Sequence, residues 1–163
     1  MILLDDSGSM IGLRPVVESV FEAMESTWFD FWLFNQRGPD SRCHTMTSTL
    51  SRCPAERIAE LPRLWRPDGG GEEPVYDVLY DIVTDVYPIE WSAPGVQRTI
   101  LLVIHETDER SPSGRGLTEE DLAQVVQSPY VVITYALEPQ RFDAFSTQVY
   151  NLGPVAPLTP GCN

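Results

Sequence analysis

Lysine is absent from this chain: all 11 basic residues among its 163 are arginines, set against 24 acidic side chains for a formal net charge of −13. A pI near 4.4 argues against a nucleic-acid or anionic-membrane binder, both of which need a basic surface. Cysteine is scarce too. Cys43, Cys53 and Cys162 are odd in number and too few for a disulfide scaffold, and they read as free or half-buried thiols, although Cys43 and Cys53 could pair. Cys43-His44 with Cys53 lacks the paired C-x-x-C spacing of a zinc site. No stretch approaches the ~20 apolar residues of a membrane span. Nor is a signal peptide visible, because Met1 leads straight into Ile2-Leu3-Leu4 and two aspartates. A strand opening at the second residue implies an abrupt start or a chain cut from something longer. The expected location is cytoplasmic if Met1 is the true start and extracellular if the chain is a fragment.

The 42% hydrophobic fraction excludes intrinsic disorder, and 18.3 kDa is the size of one domain. Ile2 to Asp5 is a short apolar strand ending in Asp6-Ser7-Gly8-Ser9. Leu13, Val16, Val17, Val20, Phe21 and Met24 recur at helical spacing, with Pro15 in the first turn. Trp28 to Phe34 reads as a strand covered on both faces, and Cys43 to Leu50 as a hairpin partner at a sheet edge. A short helix is expected over Ala55 to Leu61. After Pro67-Asp68-Gly69-Gly70-Gly71, Val75, Val78, Leu79, Ile82, Val83 and Val86 mark the clearest helix, which Pro88 is expected to end. Thr99 to Ile104 is a buried strand. Thr118-Glu119-Glu120-Asp121 resembles a capping box, with Asp where Glu or Gln is usual, and opens a helix through Val126. Tyr130 to Leu137 reads as a strand, Phe142 to Phe145 as a short helix and Gln148 to Leu152 as a last strand. Residues 1–152 form the expected domain. Residues 153–163, with Pro154, Pro157 and Pro160, read as a tail or linker. Strands alternating with amphipathic helices define an α/β domain with a mostly parallel sheet and helices on both faces.

Three polar loops carry the chemistry: Asp5 to Ser9, Gly69 to Glu73, and Thr107-Asp108. Each alone is compatible with a bland role, as an N-capping loop or as acids complementing a helix dipole. Ligands of open α/β sheets bind beyond the carboxyl ends of the strands, where the winding reverses. If the first and fourth strands are neighbours there, Asp5, Ser7 and Ser9 face Asp108 across one crevice, and Glu72 closes a third side. Carboxylates and hydroxyls without Cys or His suit Mg²⁺, Mn²⁺ or Ca²⁺. His105 could support such a site or merely end a strand. Trp65 and Trp91 could mark a surface or pack inside, and Arg110 and Arg115 could meet a ligand or simply be solvated.

Leu3-Leu4-Asp5-Asp6-Ser7-Gly8-Ser9-Met10 resembles the opening strand and D-x-S-x-S metal loop of von Willebrand factor A (VWA) domains. Gly69-Gly70-Gly71-Glu72-Glu73-Pro74 is similar to the GGGDxPE second loop of one branch, and Ile104 to Asp108 to the strand-plus-TD third loop. The resemblance follows the order of those loops through nearly the whole chain. It implies a Rossmann-like sheet with one antiparallel edge strand and a metal-ion-dependent adhesion site. Asp5, Ser7 and Ser9 would be ligands, Asp108 would act through water, and Glu72 would stand where the branch has Asp. Glu72 is one methylene longer than that Asp, and the family's final helix is replaced by the proline-containing tail.

The expected function is therefore a binding module that takes up Mg²⁺ (or Mn²⁺ or Ca²⁺). It would recruit a protein ligand whose own acidic side chain completes the coordination, within a larger protein or complex. The competing reading is a metal-dependent hydrolase or phosphatase with Asp5 as nucleophile. Against it, the first loop has no D-x-D pair, and the chain offers no lysine to neutralise a phosphoryl group.

Overall fold

The computed structural model describes residues 1–22, 31–34, 44–45, 50–53, 65, 74–87, 89, 91, 95–105 and 113–152. Its strands are β1 (Ile2–Asp5), β2 (Phe31–Phe34), β3 (His44–Thr45), β4 (Leu50–Cys53), β5 (Arg98–Val103), β6 (Tyr130–Ala136) and β7 (Gln148–Asn151). Its α-helices are α1 (Arg14–Glu22), α2 (Val75–Val83) and α3 (Glu119–Val125). All seven strands join one sheet in the order β3-β4-β2-β1-β5-β6-β7. β2, β1, β5, β6 and β7 run parallel, while β4 runs antiparallel to β2 and pairs antiparallel with β3. The antiparallel strand is thus second from the edge, with the two-residue β3 outside it, rather than the edge strand itself.

Strand alternation divides the interior into two layers. Leu3 pairs in register with Leu102, and both sit with Ile100, Trp32 and Phe34 beneath Val75, Val78, Leu79 and Ile82 of α2 and Leu122 of α3. Ile2 and Leu4, in register with Leu101 and Val103, turn to the other face, where Met10, Val17 of α1 and Trp65 cover them. Strands buried on both sides are continuous apolar runs, and Ile2-Leu3-Leu4 and Ile100-Leu101-Leu102-Val103 have that character.

Helix boundaries follow local chemistry. α2 stops at Val83 rather than near Pro88, because Thr84 returns its hydroxyl to the Tyr80 carbonyl at 2.7 Å and Asp85 adopts φ 57°. Val86, which fits the apolar spacing, consequently lies past the end of the helix and is 60% exposed. α3 does open with a capping box: the Thr118 hydroxyl accepts from the Asp121 amide at 3.3 Å, and the Asp121 carboxylate accepts from the Thr118 amide at 2.9 Å. The helix expected after Leu13 is preceded by a 3-10 segment, Gly8–Leu13, and the one expected around Phe142 is a 3-10 turn, Pro139–Phe142. The helix expected over Ala55 to Leu61 and the tail 153–163 lie outside the described residues.

Candidate metal centre

β1 is the middle strand of the seven, and the chain leaves it toward β2 on one side and returns as β5 on the other. That reversal is the place where open α/β sheets bind ligands, and Asp5 is the last residue of β1 there. The Asp6 amide extends the pairing with β2 by one bond, to the Phe34 carbonyl at 2.9 Å. The chain then bends. Ser7 at φ −66° and ψ 154° begins the 3-10 segment, and Met10 is driven into the interior beside Ile2 and Leu4.

Asp5 is fully buried, and a buried carboxylate is costly unless hydrogen bonds satisfy it. Ser7 supplies two: its amide donates to Oδ1 at 2.8 Å and its hydroxyl to Oδ2 at 2.9 Å. The amide of His105, just past β5, approaches the same Oδ2 at 3.4 Å. Ser9 Oγ lies 2.7 Å from Ser7 Oγ, so an oxygen chain runs from the buried Asp5 to the exposed Ser9. Beneath it the indole nitrogen of Trp65, buried completely, donates to the Asp5 carbonyl at 3.1 Å. Of the two readings open for Trp65, surface marker or interior packing, the structure gives the second, with the added duty of holding Asp5.

The Asp5–Ser7 and Ser7–Ser9 oxygen separations of 2.9 and 2.7 Å are ordinary hydrogen-bond lengths, and they make the three side chains one connected chain of oxygens. The donors are one carboxylate and two hydroxyls, the set that hard cations prefer. Among the described residues no group of three or more His, Cys, Asp or Glu side chains gathers at a point. Asp5, Ser7 and Ser9 are therefore brought together as the sequence predicts, whereas Glu72 and Asp108 lie outside the described residues, as does Arg110.

A second polar cluster sits on α2 and has no local signature in the sequence. Asp77, in the first turn of α2, accepts hydrogen bonds from the Ser113 hydroxyl and, at 2.9 Å, from the Gly114 amide. Arg115 places Nε 3.4 Å from Asp77 Oδ1, Nη1 2.8 Å from Asp81 Oδ1 and Nη2 2.8 Å from the Asp77 carbonyl. Burial works against the Arg115 charge, but Asp81 and then Asp77 outweigh it and keep its pKa above the ordinary value. Arg115 is thus neither freely solvated nor a cation aimed at the site. It binds the chain beyond β5 to a helix. The only sequence signal was an acid in a first helical turn, which helix-dipole stabilisation explains as well. Comparison with protein-family models and with curated proteins finds no match for the chain.

Proposed function

We propose that the chain is a divalent-cation-dependent protein-binding module with a VWA-like fold. The observation that carries this reading is the buried carboxylate of Asp5 at the reversal point of the sheet, joined by hydrogen bonds to the hydroxyls of Ser7 and Ser9, an all-oxygen donor set of the kind hard cations prefer. Asp5, Ser7 and Ser9 would hold Mg²⁺, or Mn²⁺ or Ca²⁺, with Asp108 assisting through water and Glu72 direct or through water. A cation bound there supplies positive charge to a carboxylate of a partner protein. Asp5 orients the Ser7 hydroxyl, Trp65 and Ser7 fix Asp5, and Ser9, bonded to Ser7, opens the cluster to the surface. The role is recruitment without turnover.

Titration of the chain with MgCl₂ should raise its thermal midpoint, because a ligand bound only by the folded state stabilises it by about 2.7 kcal/mol at a hundredfold excess over Kd. Asp5→Ala should abolish the shift. Calorimetry showing no cation uptake near millimolar metal sinks the reading. Release of nitrophenol from p-nitrophenyl phosphate in the presence of Mg²⁺, lost in Asp5→Ala, would instead establish the hydrolase.

A further inference from the structure

We infer that Trp65 is a positioning residue that sets the cation affinity of Asp5: its indole takes the Asp5 carbonyl out of the β1–β5 ladder and thereby turns the His105 amide to the Asp5 carboxylate. The inference rests on the cation-binding reading above. A parallel ladder advances two residues at a time, with evenly spaced bonds. Between β1 and β5 the Leu101 amide donates to the Met1 carbonyl at 2.9 Å, and the register runs on through Leu3 with Leu102 to Leu4 with Val103. By the same step of two, the next amide to meet β1 is that of His105, and its acceptor would be the Asp5 carbonyl. The structure puts both groups elsewhere. The His105 amide approaches Asp5 Oδ2 at 3.4 Å, and the carbonyl accepts from Trp65 Nε1 at 3.1 Å. On the β2 side, by contrast, the pairing continues past Asp5, with the Asp6 amide on the Phe34 carbonyl at 2.9 Å.

Burial is what makes the exchange matter. Asp5 and Trp65 are both fully buried, and a carbonyl left without a donor there is costly. With the indole on the carbonyl, the carboxylate is approached by three donors: the Ser7 amide, the Ser7 hydroxyl and the His105 amide. His105 is held from its far side as well, its carbonyl accepting from the Leu137 amide at 2.8 Å. Trp65 in turn is packed in one layer with Ile2, Leu4, Met10, Val17 and Leu101, which fixes where its N–H points. Without that N–H the carbonyl recaptures the His105 amide, β1 and β5 pair one step further, and the carboxylate loses a donor. Groups already held in place lose less freedom when a ligand binds, and removing a supporting partner of a metal site costs about 10–100-fold in affinity.

The test is calorimetric titration of the full chain with MgCl₂, alongside thermal midpoints measured without metal. Trp65→Phe keeps a ring in the layer and removes the N–H, and its Kd should rise about tenfold. Val17→Ala thins the same layer but takes no polar group from Asp5, so it should lower the midpoint and leave Kd unchanged. A purely structural indole would also be blind to the ion. The Trp65 indole N–H resonance, assigned in the labelled wild-type chain, should instead shift as MgCl₂ is added. An unaltered Kd in folded Trp65→Phe overturns the inference, as does an equal rise in Val17→Ala. If Trp65→Phe fails to fold, the resonance decides, and one that stays in place at saturating MgCl₂ overturns the inference. A wild-type chain that takes up no Mg²⁺ overturns the cation reading itself, an outcome distinct from uptake with equal Kd by wild type and Trp65→Phe.

Discussion

Helix α2 is tied down at both ends by aspartate, arginine and aromatic rings, and the two ties join it to different things. From Asp77 in its first turn to Asp81 one turn on, Arg115 links two carboxylates and lies over Tyr80, and it comes from the chain beyond β5. At its end, Arg98 stands 5.4 Å from the centre of Trp91 and 5.2 Å from that of Tyr130, donates to the Tyr130 hydroxyl at 2.6 Å and lies 3.6 Å from Asp85. Arg98 and Tyr130 are the first residues of β5 and β6, so the lower tie joins the helix to the sheet. The upper tie joins it to a loop. The same chemistry therefore ties the helix to the sheet at one end and to the chain beyond β5 at the other. A chain without lysine can do both because guanidinium stacks on rings and forks between acids, which an ammonium does not.

The largest expected effect tests whether the two ends are independent. Leu79, fully buried in the middle of α2, packs the helix on the sheet. Leu79→Ala should cost about 2–5 kcal/mol in urea denaturation. Under the cation-binding proposal its Mg²⁺ uptake should nevertheless match wild type, since Asp5, Ser7 and Ser9 keep their contacts. If affinity falls in step with stability, the ends act as one body and the contrast between them collapses. Arg98→Ala comes next. It removes two cation–π contacts and a hydrogen bond from a site only a quarter exposed, and should cost about 2 kcal/mol. Arg115→Ala should cost less in stability, about 1 kcal/mol, because its own side chain is 47% exposed although both carboxylates it meets are mostly buried. The reverse ranking, read from chemical denaturation of the two variants, would assign the scaffold role to the upper tie.

How much of this was legible follows from which interactions are local. The alternation of apolar strands and amphipathic helices is a short-range pattern, and the parallel α/β sheet follows from it. The Thr118–Asp121 capping box was legible for the same reason. Asp5, Ser7 and Ser9 sit within five residues, and the structure brings them together. Asp77 with Ser113 and Trp65 with Asp5 are contacts across 36 and 60 positions, and no periodicity encodes them. The end of α2 was misplaced because the apolar spacing continues to Val86, while the left-handed turn at Asp85 has no apolar signature. Asp is tolerated at such a position, and this one also carries a cross-strand duty to Arg98 and Tyr130.

The smallest effect sharpens the comparison through two tyrosines. Burial first, and then the charge and hydrogen bond of Glu119, raise the pKa of Tyr76 at the upper end. Burial also raises that of Tyr130 at the lower end, where Arg98 pulls it down and Asp85 pushes it up. Both phenols hold their protons more tightly in the folded chain than in the unfolded one, where the value is about 10. Their contribution to stability is thus complete below pH ~10 and is lost as the pH climbs from there through the folded values. Asp85→Asn removes an acceptor charge 3.1 Å from the Tyr130 hydroxyl, so it should lower the Tyr130 pKa and leave Tyr76 unmoved. Nuclear magnetic resonance of ring-labelled tyrosine, followed across alkaline pH, reads the two separately. A shift of Tyr76 in that variant would mean that charge at one end of α2 is felt at the other, and the two ties would then have to be treated as a single electrostatic unit.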